Sequence, residues 1–182
     1  RVTLLTDARG LRFPGLFERA ERHVLDSATA SGANPIAWAR AALSIWRGRR
    51  AGRRIARDAN AQAVVGFGGY PSLPGVLAGS SLRLPSVLHE QNAVLGRVNR
   101  KLQRRVSALA LTYAETRELS PAGAAKARHT GNPVREAMLA ARDIPYAAPS
   151  ADGPLNLLVV GGSQGARILS RVVPEAIATL SV

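Results

Sequence analysis

The chain has 182 residues, of which 46% are apolar, enough to bury a hydrophobic core in one domain or in one domain and part of another. It contains no cysteine, which excludes a disulfide framework and thiolate metal sites. Twenty-five Lys and Arg residues against 12 Asp and Glu give a net charge of +13. This excess indicates a polyanionic partner: nucleic acid, an anionic membrane surface or a phosphorylated substrate.

The N-terminal part predicts a strand followed by a long helix. Residues 2–6 are a short apolar strand, and residues 35–58 have helical character. This helix carries both tryptophans, Trp38 and Trp46, and six arginines follow at residues 47–57. A tryptophan-bearing apolar stretch that continues into a basic one is typical of a helix docked on a membrane surface. The same pattern is found in solvated surface helices and, through its charge, in nucleic-acid contacts, so these alternatives remain open at this point.

Strands and helices alternate along the rest of the chain. Strands are predicted at residues 63–67, 86–89, 108–112 and 127–130, and helices at 72–82, 95–105 and from Val134 onward. Strands separated by helices predict an α/β fold with a parallel, doubly wound sheet. Ligands of such sheets bind at the carboxyl ends of the strands.

A change of composition separates the C-terminal part from this domain. Residues 142–154 hold three prolines and show no periodicity, which predicts a linker. A strand at 155–160 and a helix at 164–180 follow. We therefore expect a domain at 1–141, a linker at 142–154 and the truncated start of a second domain at 155–182.

Two glycine-rich loops follow predicted strands. They read Gly-Phe-Gly-Gly-Tyr at 66–70 and Gly-Gly-Ser-Gln-Gly-Ala at 161–166. Glycine permits a sharp turn and close approach of a ligand, and the next helix presents free N–H groups, so both loops are candidate phosphate sites. Neither is a Walker A motif or a complete G-x-G-x-x-G fingerprint, which disfavours a nicotinamide dehydrogenase.

Four consecutive polar residues form a further candidate site. His89, Glu90, Gln91 and Asn92 come directly after a predicted strand, and a histidine there can take or give a proton near neutral pH. The alternative is a turn whose polar side chains only cap the next helix. Arg135, which follows another turn, is of a type that binds phosphate or carboxylate through two hydrogen bonds. Metal binding is not predicted, because the three histidines lack ligand spacing: His23, His89 and His129.

The motifs at 66–72, 89–93, 131–135 and 161–167 occur together in an order and spacing that resemble the MurG family of bacterial N-acetylglucosaminyltransferases. The resemblance implies a glycosyltransferase B architecture with two Rossmann-like domains, and an inverting transfer that needs neither metal nor cofactor. N-acetylglucosamine would pass from UDP-N-acetylglucosamine to the C4 hydroxyl of the muramyl sugar in undecaprenyl-diphosphate-linked lipid I. The product would be lipid II, used in peptidoglycan synthesis for cell shape and cell division.

The resemblance also implies roles for individual residues. Residues on the donor side would be Asn92, Arg135, Gly162, Ser163, Gln164 and Gly165. Residues on the acceptor and diphosphate side would be Gly68, Gly69, Tyr70, His89, Glu90 and Gln91. His89 is the catalytic candidate, although the family's histidine that is thought to act as the base would lie in a glycine loop before Arg1. The membrane-docking residues would be Ile36, Trp38, Leu43, Ile45, Trp46, Arg47, Arg49 and Arg50.

The expected partners are UDP-N-acetylglucosamine, lipid I and an anionic membrane surface, without nucleic acid. The expected location is peripheral, on the cytoplasmic face of the bacterial inner membrane. The family's first β-loop-α unit and its uracil, ribose and donor-sugar segments would lie outside this sequence, so we expect the chain alone to be inactive. Two alternatives stay open: a glycosyltransferase B enzyme with a different lipid or natural-product acceptor, and a non-enzymatic basic domain that binds nucleic acid.

Overall fold

The structure is a computed structural model that describes residues 1–10, 19–27, 34–150, 153–154, 156–162 and 166–180. It divides into two compact units, Arg1–Pro133 and Val134–Val182. The domain boundaries inferred from composition stay a prediction. Within the described ranges, no helix combines the length and apolar character needed to span a bilayer.

The first unit contains two parallel sheets and the helices that connect their strands. Its elements are β1 (Thr3–Thr6), β2 (Glu21–Val24), α1 (Pro35–Asp58), β3 (Val64–Gly66), α2 (Gly69–Ser81), β4 (Ser86–Glu90), α3 (Arg97–Leu102), β5 (Ala108–Leu111), α4 (Pro121–Ala124) and β6 (Ala127–His129). Strands β1 and β2 form one sheet, and β3, β4, β5 and β6 form the other in that order. Every strand pair is parallel, as the predicted α/β fold class requires.

Several local features differ from the sequence prediction, and β2, α4 and the start of α2 are three of them. Strand β2 has no predicted counterpart, because Glu-Arg-His-Val is mostly exposed and lacks the apolar pattern of a strand. It forms through parallel pairing with β1, with Thr3 opposite Glu21. The four-residue helix α4 is also absent from the prediction. Helix α2 begins at Gly69 instead of Ser72, and the Ser72 hydroxyl donates to the Gly69 carbonyl at 2.9 Å.

Helix α1 begins at a strong capping signal, and its predicted range is confirmed. The Asn34 Oδ1 accepts hydrogen bonds from the backbone N–H groups of Ile36 and Ala37, and Pro35 occupies the first turn. Both residue types favour a helix start. The Asn side chain accepts hydrogen bonds from free N–H groups of the first turn, and Pro has no N–H group that would need an acceptor there. The chain leaves the helix after Asp58, and Asn60 then adopts a positive φ of 48°.

Two glycines let α1 pack closely against α2. Gly48 and Gly52 are buried and four residues apart, so they share one face of the helix. A Cβ atom on Gly48 would lie 2.5 Å from the Asp26 carbonyl oxygen and 3.0 Å from the Pro74 Cβ. A Cβ atom on Gly52 would lie 3.2 Å from the Ala78 Cβ. Glycine disfavours an isolated helix, but here it permits the helix contact.

The hydrophobic core lies between α2, α3 and the four-stranded sheet. Its buried members are Val76, Leu88, Val98, Leu102, Val106, Leu109 and Leu111. Tyr70, in the first turn of α2, packs against this cluster from its edge. The core therefore holds the start of α2 close to the carboxyl end of the sheet.

The second unit contains α5 (Glu136–Ala141) and α6 (Arg167–Ala178), neither of which has a buried residue. The strand predicted at 155–160 is not formed: residues 156–160 have no strand structure, and Leu155 lies outside the described residues. A strand needs a neighbour to satisfy its backbone N–H and C=O groups, and the described part of this unit holds no other strand. The helix predicted at 164–180 forms over the shorter range of α6.

Candidate functional site

The carboxyl ends of β3 and β4 bring two of the sequence motifs together. Gly66 at the end of β3 lies opposite Leu88 in β4, directly before His89 and Glu90. The glycine loop at 66–70 and the polar run at 89–92 thus leave the same edge of the sheet. This is the edge at which parallel sheets bind their ligands.

The glycine loop requires glycine for both backbone conformation and space. Gly68 and Gly69 have φ values of 77° and 69°, in the left-handed region that favours glycine. A Cβ atom on Gly68 would lie 3.2 Å from the Asn99 Nδ2. Gly68 is the N-cap of α2, so no side chain caps that helix, and its first turn contains no acidic residue. The loop therefore presents backbone N–H groups at a positive helix end.

His89 is buried, and both of its ring nitrogens have partners in the first unit. Its Nε2 lies 3.0 Å from the Gly131 carbonyl oxygen, and its Nδ1 lies 2.9 Å from the Gln91 Nε2. These partners assign the proton to Nε2, because the carbonyl can only accept and the amide nitrogen can only donate. The ring also lies 5.8 Å from the exposed Phe67 ring, centroid to centroid. The imidazole thus links the ends of β3, β4 and β6.

Glu90 is buried, and four N–H donors converge on its carboxylate. Its Oε1 accepts from the backbone N–H of Asn92 at 3.1 Å and from the Asn92 Nδ2 at 2.9 Å. Its Oε2 accepts from the Gly96 N–H at 2.8 Å and from the Asn99 Nδ2 at 2.9 Å. Burial raises the pKa of Glu90, but the hydrogen bonds from Gly96, Asn92 and Asn99 outweigh it and bring this pKa below its ordinary value. The carboxylate is therefore ionised and fully used as an acceptor.

Asn99 belongs to this cluster but is absent from the sequence prediction. It is 1% exposed, and its Oδ1 is buried without a hydrogen-bond partner among the described residues. The available signal was an amide side chain within the predicted helix at 95–105, three residues before the apolar Leu102. Residues at this spacing share a helix face, so an asparagine facing the core needs a polar partner there.

The predicted donor residues of the second unit are only partly described. Arg135 is exposed and directly precedes α5, whereas Gly162 has a positive φ of 80°. Ser163, Gln164 and Gly165 lie outside the described residues. The roles of these residues stay predictions.

One stripe of α1 is apolar at its start and basic at its end. Ile36, Leu43 and Trp46 are 61%, 46% and 55% exposed. Arg50 follows four residues after Trp46, and its guanidinium lies 6.0 Å from the centre of the indole ring. An open groove beside them is lined by arginines: Arg47, Arg50, Arg53, Arg54 and Arg57.

The other predicted docking residues occupy different positions around α1. Trp38 is 51% exposed, but its spacing of two residues from Ile36 and five from Leu43 places it off the stripe. Ile45 and Arg49 are half-buried. Within the described residues, no cluster of His, Cys, Asp and Glu has an arrangement that would hold a metal ion.

Residues 3–111 match the family model of the glycosyltransferase family 28 N-terminal domain. A relative from Methylobacterium sp. (strain 4-46) is 51% identical over 180 residues, covering 99% of this chain and 48% of the relative. A relative from Rhizobium meliloti (strain 1021) is 48% identical over 179 residues, and the match covers 98% of this chain and 47% of the relative. Both are named UDP-N-acetylglucosamine--N-acetylmuramyl-(pentapeptide) pyrophosphoryl-undecaprenol N-acetylglucosamine transferase.

A solved structure, described as the crystal structure of Acinetobacter baumannii MurG, is also similar. It has a TM-score of 0.64 and 29% sequence identity, and the match covers 96% of this chain and 44% of that one. The resemblance to the MurG family and the glycosyltransferase B fold class are thereby confirmed. The chain spans about half the length of the curated relatives that it matches.

Proposed function

Because the chain belongs to glycosyltransferase family 28, we propose that it is part of an inverting transferase that converts lipid I to lipid II. The full protein takes UDP-N-acetylglucosamine as donor and transfers its sugar to the C4 hydroxyl of the muramyl residue on undecaprenyl diphosphate. It uses no cofactor. The first unit provides the acceptor side of the site.

The observation that carries this proposal is the meeting of the glycine loop with the polar run at the edge of the sheet. The loop offers N–H groups at the start of α2, where no described side chain competes for them, and these suit the diphosphate of a lipid-linked acceptor. Gln91 on the acceptor side and Asn92 on the donor side follow the buried Glu90, and their amide oxygens suit sugar hydroxyls. An anion site beside amide side chains matches a substrate that carries both a diphosphate and sugars.

The proposed roles of the site residues follow from their surroundings. Gly68, Gly69 and Tyr70 form the acceptor-diphosphate side, and Asn92 contacts the donor. His89 positions the acceptor side instead of acting as the free base, since both of its nitrogens already have partners. The general base then comes from outside the described cluster.

A transfer assay with the full-length protein tests the reaction. Radiolabelled UDP-N-acetylglucosamine is offered with lipid I, and in parallel with lipid-linked sugars that lack the muramyl residue. We expect label to enter lipid II and to stay at background with the other acceptors. Efficient transfer to an unrelated acceptor would favour the alternative of a different glycosyltransferase B enzyme, and no transfer at all would refute the proposal.

We further propose that α1 docks the protein on the cytoplasmic face of the inner membrane. The exposed Ile36, Leu43 and Trp46 would enter the interface, and the arginines that follow would bind anionic headgroups. The buried glycine face of α1 packs on α2, which leaves the apolar and basic stripe outward. The net charge of +13 supports attraction to an anionic surface.

Vesicle binding by a Trp46→Asp variant tests this docking. On vesicles rich in anionic lipid we expect partitioning to fall about tenfold, because an indole is lost and a charge that anionic lipid repels is gained. Met138→Asp is the matched control, because Met138 is also 55% exposed but lies in α5. Equal partitioning of Trp46→Asp and wild type would contradict docking through α1.

A further inference from the structure

Glu90 is an unusual group to bury, because its charge is compensated by hydrogen bonds alone. It is 2% exposed, and no described Lys, Arg or His forms an ion pair with it. Its two oxygens instead accept four hydrogen bonds from Asn92, Gly96 and Asn99. Burying a carboxylate without a cation is costly, so an apolar side chain would serve packing better at this position.

The hydrogen bonds of Glu90 fix the orientation of two asparagine side chains. An asparagine has one donor end and one acceptor end, and the carboxylate can only accept. The Nδ2 groups of Asn92 and Asn99 must therefore both turn toward Glu90. Each Oδ1 then turns away from the carboxylate, and no described donor reaches either of them.

Asn92 is the member of this pair that solvent and ligand can reach. It is exposed, whereas Asn99 is buried beneath Gly68. Its Nδ2 and backbone N–H are both held by the Glu90 Oε1, at 2.9 Å and 3.1 Å. The side chain therefore offers a ligand its Oδ1 as an acceptor, while Glu90 holds the backbone N–H and one of the two Nδ2 hydrogens.

We propose that Glu90 is a positioning residue that holds Asn92 so that its carbonyl oxygen, not its amide nitrogen, meets the substrate. Asn92 then accepts a hydrogen bond from an O–H or N–H group of the donor sugar. This carbonyl oxygen does not bind a phosphate oxygen, because phosphate at neutral pH offers acceptors and no matching donor. The inference rests on the proposed function, in which Asn92 lies on the donor side.

Exchanging the two side-chain types tests the proposal in the full-length transferase. Glu90→Gln removes the charge and leaves one acceptor oxygen for the amides of Asn92 and Asn99, which weakens the hold on the Asn92 side-chain orientation. Asn92→Asp places two carboxylates together, and these repel. In either single variant we expect the KM for UDP-N-acetylglucosamine to rise about tenfold, the effect of one lost hydrogen bond.

The double variant, Glu90→Gln with Asn92→Asp, restores the side-chain pairing with donor and acceptor exchanged, whereas the backbone N–H of residue 92 loses the acceptor that Glu90 supplied. The amide introduced at position 90 donates to one oxygen of the carboxylate introduced at position 92, and the other oxygen is again free to accept from the substrate. We expect the KM of this variant for UDP-N-acetylglucosamine to fall below that of both single variants, a partial rescue, because one backbone hydrogen bond stays lost. A double variant no better than the single variants would overturn the proposal, because a purely structural Glu90 predicts no rescue.

A second cycle keeps the test valid if the variants that carry Asn92→Asp fold poorly. Asn92→Ala removes only an exposed side chain, and in that background Glu90→Gln should change the KM for the donor by less than about twofold. A further tenfold rise there would show that Glu90 does not act through Asn92. Glu118→Gln is the control, since Glu118 is exposed and paired with Arg100, and its KM should equal that of wild type. If wild type itself transfers no sugar, the proposed function fails, whereas transfer without rescue refutes only this inference.

Discussion

At the scale of single residues, the polar run at 89–92 divides into an inner and an outer pair. His89 and Glu90 are buried and bond to backbone and amide groups, whereas Gln91 and Asn92 remain accessible. The inner pair holds the outer pair, through Gln91 Nε2 on His89 and Asn92 Nδ2 on Glu90. The inner pair therefore behaves as a turn that satisfies its own polar groups, whereas the interpretation of the run as a binding site stays a prediction.

The buried charge of Glu90 should make stability depend on pH. Its folded-state pKa lies below the ordinary value of 4.5, so the unfolded chain binds the proton more readily. The stabilisation of the folded state by the Glu90 carboxylate is complete above about pH 4.5, and it is lost as the pH falls through the folded-state pKa of Glu90. We expect the difference in free energy of unfolding between wild type and Glu90→Gln to shrink between about pH 6 and about pH 3. Urea unfolding at each pH measures it, and parallel pH curves for the two proteins would contradict the prediction.

The sequence indicated the site residues by type, but not the hydrogen bonds between them. A run of polar residues after a strand is visible in one dimension, so His89 and Glu90 could be selected. For Asn99 the sequence offered only an amide on a predicted helix, because its bond to Glu90 depends on a turn that brings it back across nine positions. The same holds for the Gly131 carbonyl, which meets His89 only because β6 lies in the same sheet.

At the scale of elements, helix α1 combines a face built for packing with a face left to solvent. Its buried positions are small, Ala41, Gly48 and Gly52, and its exposed stripe carries large apolar and basic side chains. Propensity alone counts the glycines as weak points of the helix. The glycines are needed because α2 and the Asp26 carbonyl pack against them. The sequence alone does not show that these groups are neighbours of α1.

Replacing Gly48 by alanine should destabilise the first unit. Alanine gains about 1 kcal/mol of helix propensity, but its Cβ would lie 2.5 Å from the Asp26 carbonyl oxygen, a backbone atom that cannot move cheaply. We expect a net loss of about 1–3 kcal/mol in the free energy of unfolding, as for other overpacked sites. Gly52→Ala is the matched comparison and should cost less, since its nearest contact is the Ala78 Cβ at 3.2 Å. Denaturant titration of both variants measures which one loses more free energy of unfolding. A Gly48→Ala variant as stable as wild type would refute the prediction.

Elements with a regular pattern were predictable, and those held by tertiary pairing were not. Apolar runs gave β3, β4 and β5, and capping residues gave the start of α1. Strand β2 was missed because its residues are mostly polar and it depends on β1 for its hydrogen bonds. The reverse error occurred at residues 156–160, where the apolar run has no strand beside it in the described part of the second unit and remains irregular.

At the scale of the whole molecule, the two units differ in how much they bury. The first unit holds the described hydrophobic core, with Leu88 and Leu109 fully buried. The second unit has no buried residue among those described, although α6 and residues 156–160 are rich in apolar side chains. We therefore expect the two units to differ in local stability, because the free energy of local unfolding increases with the number of buried apolar contacts.

Hydrogen exchange on the 182-residue chain should resolve this difference. Amides of β4 and β5 lie in the centre of a four-stranded sheet and should exchange slower than those of residues 156–160 by about two orders of magnitude or more. In the full-length protein, where the predicted second domain would supply neighbouring strands, residues 156–160 should become protected while β4 and β5 change little. Slow exchange at 156–160 in the short chain would show that this segment is already paired. Fast exchange there in the full-length protein would contradict its assignment as the first strand of a second domain.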